Sequence, residues 1–246
     1  MDGVEDRDDK CVNTPIMDLV NEEGCSTESL LNSHTFTLLT GLSYSDTDYN
    51  TLAKTDTLTT SISLDYTYKN FSFGISTSYY ENNSETFSAT GFNDTFITTE
   101  YKLVDDVFYI SLGVGLILPT YESLYATNEI DYMANVHLGY TVENVNLFAL
   151  YGYTLVNDTD TTQKVYYQNI HYASVGIGYF FDSKFYANTS YNISQSVYKD
   201  IEDIESLSLY GYYSLSDSLF VTANYMYGLS ESASDTFVLV SLGYKF

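Results

Sequence analysis

The sequence predicts an all-β fold: a transmembrane, antiparallel, up-and-down β-barrel of about twelve strands over residues 34–246. Three observations predict it. Apolar or aromatic residues recur at every second position through that range, the period of a strand with one apolar face. The alternating segments, roughly ten to thirteen residues long, are joined by connections that are short and long in turn. Aromatic rings gather at the segment ends, with aliphatic residues between them.

Composition agrees. The chain has 246 residues, with 27 Tyr, 14 Phe and only 2 Pro, so long strands go uninterrupted. No apolar run reaches the roughly 18 residues of a transmembrane helix. The longest, 107–118, suits a tilted spanning strand. A net charge of −24 with 9 Lys+Arg leaves no basic footprint for nucleic acid. Abundant aromatic and β-branched residues argue against disorder.

The expected strands begin at 34–44, where alternation starts and Tyr44 marks the far end. In 57–68, Leu58, Ile62, Leu64, Tyr66 and Tyr68 oppose Thr59, Ser61, Ser63, Asp65 and Thr67. In 71–80, Phe71, Phe73, Ile75 and Tyr79 oppose Ser72, Gly74, Ser76 and Ser78. Strand 94–103 carries Tyr101, and 107–118 carries Phe108, Leu112 and Val114. Strand 130–142 has Tyr132, Ala134, Val136 and Tyr140 in phase, and 145–155 has Ala149 and Tyr153. Rings close 168–181 at Tyr179 and Phe181, bracket 185–194 at Phe185 and Tyr191, and end 204–215 at Tyr213. Ala223 and Tyr227 phase 219–228, and the chain ends in 236–246.

Short turns are expected at 69–70, 104–106, 143–144, 182–184 and 215–218. Longer connections are expected near 45–56, 81–93, 119–129, 156–167, 195–203 and 229–235. An even strand count lets the last strand pair with the first, which removes both exposed edges. The second face is mostly polar and small, with Ser61, Ser76, Asn135, Asn188, Asn192 and Asn224 among its residues. A soluble β-sandwich could not bury so many polar groups, and its strands would be shorter. A wet lumen can hold them.

Residues 1–33 differ: acidic, without alternation, and with both cysteines. They form an expected N-terminal extension, either periplasmic or a lumen plug, with a short helical turn at 17–23. In an oxidising compartment Cys11 and Cys25 could close a disulfide. The acidic start, with no apolar stretch after it, does not read as a secretion signal.

The chain ends in SLGYKF, with Val238, Val240, Leu242, Tyr244 and Phe246 on one face. This strand resembles the terminal strand of bacterial outer-membrane β-barrel proteins, the porin-like class. The resemblance implies that Tyr244 and Phe246 form the signal read by the barrel-assembly machinery. It also implies outer-membrane lipid and lipopolysaccharide as surroundings.

Catalytic groupings are sparse. There is no GxSxG motif, and of His34, His137 and His171 only His137 falls in mid-strand on the lumen face. His171 reads as an interface ring, and neither an enzyme nor a cofactor is expected. Asp46, Asp48 and Asn50 have the spacing of a calcium loop, but Thr51 and Thr57 stand where its Gly and Glu belong, so a solvated acidic loop is the better reading. The selectivity candidates are Asp65, Glu100, Lys102, Asp131, His137 and Lys245, beneath long loops rich in acids. The expected function is a porin-like channel passing small polar or cationic solutes by diffusion. The alternative is a structural or surface-interaction barrel that conducts nothing.

Overall fold

The computed structural model describes residues 18–20, 25–29, 34–48, 54–85, 87–121, 129–158 and 166–246. Among them every element is a strand. A two-stranded sheet pairs β1 (Asp18–Val20) with β2 (Ser26–Ser29). The wall follows: β3 (His34–Thr47), β4 (Thr55–Tyr68), β5 (Phe71–Ser84), β6 (Ser88–Phe92), β7 (Thr95–Asp105), β8 (Phe108–Leu118), β9 (Asp131–Val142) and β10 (Val145–Leu155). It continues through β11 (Ile170–Phe180), β12 (Phe185–Ser194), β13 (Ile204–Ser214), β14 (Leu219–Gly228) and β15 (Thr236–Lys245).

Apart from β6, each wall strand pairs antiparallel with its chain neighbour, and β15 pairs with β3, so twelve strands close into a barrel. The first and last strands meet in register, Leu42 opposite Val240 and Leu38 opposite Tyr244. At the seam, Phe36 and Phe246 exchange both backbone hydrogen bonds at 2.9 Å, and their rings stack at 5.6 Å. Deleting Phe246 should therefore cost roughly 2 kcal/mol, from two rim hydrogen bonds and a ring pair. A lower urea midpoint of the refolded barrel is the expected readout, and an unchanged midpoint would show the seam indifferent to this residue.

The outward face matches the alternation. Val114 (59%), Val175 (58%) and Leu209 (58%) stay exposed in mid-strand, so no second sheet covers them, as a sandwich would require. Buried apolar side chains among the described residues are only Tyr80, Tyr167, Phe220 and Ala233. Rings rim this apolar belt. At the short-turn end a string of contacts runs from Tyr68 through His34, Tyr66, Phe36 and Phe246 to Tyr244. A second runs from Tyr179 through Phe181 and Phe185 to Tyr213. At the long-loop end the Tyr44 hydroxyl donates to Asp56 and that of Tyr191 to Glu205, each at 2.7 Å. Their ring bodies meet the apolar belt while the hydroxyls reach polar groups, as interface tyrosines do.

Turn chemistry sets the register. Lys69 and Glu143 each open a two-residue turn with φ of 52°, the left-handed backbone that tight hairpins require. In the 181–184 turn the Asp182 carboxylate accepts the N–H groups of Lys184 (2.7 Å) and Phe185 (2.8 Å), which lowers its pKa. Because the folded value is depressed, this contribution is full above the ordinary aspartate pKa. It is lost as pH falls through the folded value. Asp182→Ala should lower the denaturation midpoint at neutral pH, with the difference closing as pH drops below about 3.9. A gap independent of pH would mean the carboxylate's charge is irrelevant to the turn.

Two expectations change. Where a helical turn was expected at 17–23, the described residues Asp18–Val20 are β1; so short a segment cannot offset helix nucleation, whereas pairing with β2 satisfies its backbone. The 81–93 connection is a hairpin: β5 continues to Ser84 and β6 returns along it, Tyr79 opposite Phe92 and Asn83 opposite Ser88. Tyr79 packs edge-on against Phe92 at 5.3 Å, which favours strand over loop despite the polar sequence. Cys25 is disulfide-bonded. Cys11, and with it most of the segment expected as a plug or periplasmic extension, lies outside the described residues.

Candidate functional site: the lumen and its mouth

Twelve strands about 4.8 Å apart and tilted by about 40° close into a wall roughly 24 Å across between backbones. Inward side chains occupy about 5 Å on each side, half the spacing of packed sheets, leaving roughly 14 Å. How far that space stays open depends on the large inward side chains.

The inward face is less uniformly small and polar than its serines and asparagines suggest. It also carries Tyr109, Phe148, Leu150, Tyr172, Tyr186, Tyr210 and Phe220. Most of these rings lie against glycines of the adjoining strand. Tyr172 covers Gly152, Phe148 covers Gly176, Tyr186 covers Gly178, Phe220 covers Gly243 and Tyr109 covers Gly139. Tyr172, Phe148, Phe220 and Tyr109 are direct cross-strand partners of their glycines. The three atoms nearest a Cβ at 152 belong to Tyr172, and those nearest a Cβ at 243 to the Phe220 ring. The missing side chain is thus a recess that holds the ring flat against the wall.

The predicted ionisable residues divide among four places. Glu100, Lys102 and His137 come together on β7 and β9. The Tyr109 hydroxyl donates to Glu100 Oε1 at 2.9 Å and lies 2.9 Å from Ser111 Oγ. His137 Nε2 is 3.9 Å from Glu100 Oε2, and Lys102 Nζ is 3.3 Å from Asp105. Asp65 stands apart on β4, across the Gly74 recess from Thr98, with Ser63 Oγ at 3.5 Å. Lys245 is at the short-turn rim, its ammonium 5.3 Å from the Phe220 ring centroid.

Asp131 belongs to the mouth. With Asp94, Glu129 and Asp158 it lines a cleft of about 300 Å³ at the long-loop end, with Tyr121, Tyr167 and Tyr198 around it. Loops fix this cleft. Asp131 accepts the N–H of Asn157 at 2.7 Å, and Asp94 that of Tyr121 at 3.0 Å. The two loops that bring Tyr167 and Tyr198 are bonded to each other through Gln168 N to Val197 O and Lys199 N to Tyr166 O, both 2.9 Å. Among the described residues no basic side chain lines the cleft.

His171 faces outward, its Nδ1 2.7 Å from the Tyr151 hydroxyl, as an interface ring would. Asp46 of the calcium-like spacing holds Lys54 at 2.7 Å. Asn50 lies outside the described residues, and no metal-binding cluster is found among the described ones.

No known family model and no curated protein matches the sequence. Solved structures do. The COG4313 outer membrane channel from Pseudomonas putida F1 superposes with a TM-score of 0.75 at 11% identity, over 86% of this chain and 95% of that one. The NanC porin gives 0.61 at 14% identity, over 86% and 100%. The KdgM porin gives 0.55 at 13%, over 85% and 99%. At such identities the likeness is one of fold, and the chain is a closed twelve-stranded antiparallel barrel with the architecture of outer-membrane channels.

Proposed function

We propose that this protein is an outer-membrane channel through which small polar or cationic solutes diffuse passively. The observation that carries the reading is the recessed lumen: rings that would obstruct a twelve-stranded barrel are held flat over glycines on neighbouring strands. Ring-over-glycine pairs pin strand register in any barrel; here they also keep the wall's large side chains out of the central space. The fold shared with the COG4313 channel and the NanC and KdgM porins supports the same reading. The apolar belt, flanked by rings at both ends, suits outer-membrane lipid, with the acidic long-loop side toward lipopolysaccharide. Tyr244 and Phe246, on the lipid face of the closing strand, are the groups we assign to recognition by the assembly machinery.

Single-channel recording of the refolded barrel in a planar bilayer, with and without residues 1–33, tests the reading. Steps in the full chain support an open channel. Steps only after truncation make the extension a plug. Silence in both, with folding verified by heat-dependent mobility on a gel, would leave a non-conducting structural or surface-interaction barrel.

A further inference from the structure

The lumen is chemically two-sided. Glu100, Lys102, His137 and Asp65 all stand on β4, β7 and β9. The wall built from β10 to β14 borders an open hollow of about 550 Å³ on the lumen side, and none of its lining residues is charged. Its polar groups are amides and hydroxyls, chiefly Asn188, Asn192, Asn224 and Ser208. Its apolar surface comes from Phe148, Leu150, Tyr172 and Met226.

The amides are held in place. Asn192 Nδ2 donates to Ser208 Oγ at 2.7 Å, and its Oδ1 accepts from Ser190 Oγ at 3.3 Å. Asn188 Nδ2 reaches the Tyr186 hydroxyl at 3.4 Å, and Tyr186 in turn donates to Asn146 at 3.2 Å. Two groups beside the cavity are unsatisfied: Asn224 Oδ1 and the Tyr172 hydroxyl are buried without a hydrogen bond.

We infer that the β10–β14 wall is a binding subsite for an uncharged, hydroxyl-bearing ring, the chemistry of a neutral saccharide. Such a ring has apolar faces, which match Phe148 and Met226, and a rim of hydroxyls that both donate and accept. Carboxamides match that rim because each carries a donor and an acceptor. A bare ion gains nothing from the apolar part of this wall, and an apolar molecule would leave its amides unpaired. The cavity falls within the roughly 300–1,000 Å³ of small-molecule sites. The inference rests on the channel reading for its biological sense, since a solute must enter the lumen to reach the wall.

The test separates the two. Saturation-transfer NMR and calorimetric titration of the refolded full chain, in micelles of an amine-oxide detergent free of sugar headgroups, would use glucose and maltose as probes. Sorbitol serves as the acyclic control and gluconate as the charged one. Saturable binding of the cyclic neutral sugars, stronger than that of sorbitol or gluconate, is expected. Asn192→Ala and Phe148→Leu should each raise Kd by about fivefold, the equilibrium equivalent of one neutral contact. Equal signals from all four probes, no saturable signal, or affinities unmoved by both substitutions would overturn the subsite. Bilayer recording of the same preparation reports conduction independently. Steps without sugar binding sink the subsite alone, and sugar binding without steps in either the full chain or the chain lacking residues 1–33 sinks the channel reading alone.

Discussion

Gly152→Ala should narrow the channel. The three atoms nearest the added Cβ all belong to the Tyr172 ring and hydroxyl, and Tyr172 is the direct cross-strand partner of residue 152. The nearest contacts are side-chain atoms, so the ring is the first to give way. Its only open direction is the lumen. A phenol ring projecting from the wall removes roughly a quarter of a 14 Å aperture, from the strand-spacing estimate of that aperture. Single-channel conductance should fall by about that fraction. Gly243→Ala, which displaces Phe220 in the same way, should roughly double the loss when combined. The recess predicts a specific rescue: Tyr172→Ala in the Gly152→Ala background restores conductance to at least the parental level. Gly176 is a poorer test, because a Cβ there would also stand 2.6 Å from the Thr189 carbonyl and disturb the backbone. Unchanged conductance in both alanine variants, with folding intact, would mean that these rings do not border the conducting path.

The recesses show where sequence reading stopped. Strand positions were legible because period-two alternation is local, and a segment such as Leu58 to Tyr68 declares its two faces without reference to any neighbour. Closure was legible too, because the first and last strands share the phase that puts Phe36 and Phe246 on one face. The β10 segment shows the limit. In VNLFALYGYTL apolar residues stand on both phases, so Phe148 and Leu150 were not distinguishable as lumen residues from that strand alone. The pairing of Phe148 with Gly176 depends on register between strands, which the alternation of neither strand encodes. The divided charge cluster has the same cause. Glu100 and His137 are close because β8 lies between their strands with Ser111 opposite His137, a relation fixed only when the wall is assembled. The β6 hairpin escaped because its residues are small and polar, and only Tyr79, Tyr80, Gly91 and Phe92 hinted at pairing.

Charge bookkeeping across the lumen leads to the second large effect. Inside the barrel the carboxylates of Asp65, Glu100 and Asp105 stand against the ammonium groups of Lys102 and Lys245, so most of the formal charge is offset. The mouth is different: Asp94, Glu129 and Asp131 line one cleft with no basic side chain among its described lining residues. A narrow acidic entrance between low-dielectric walls concentrates cations and excludes anions. Cation preference should therefore reside in the mouth. The triple variant Asp94→Asn, Glu129→Gln, Asp131→Asn keeps the side-chain oxygens that accept the Tyr121 and Asn157 N–H groups, so the loops keep their anchors. In a tenfold KCl gradient, where ideal selectivity gives about 59 mV for a monovalent ion, the parent should reverse well toward the cation limit and the variant near zero. Glu100→Gln, which removes one largely offset lumen carboxylate, should move the reversal potential by less than the triple variant does. The parent's preference should also weaken between about 0.1 M and 1 M salt, as the screening length drops from roughly 10 Å to 3 Å. If the triple variant stays as cation-selective as the parent while Glu100→Gln abolishes selectivity, the filter is the lumen cluster of Glu100, Tyr109 and His137, and the acidic mouth is only a solvated rim.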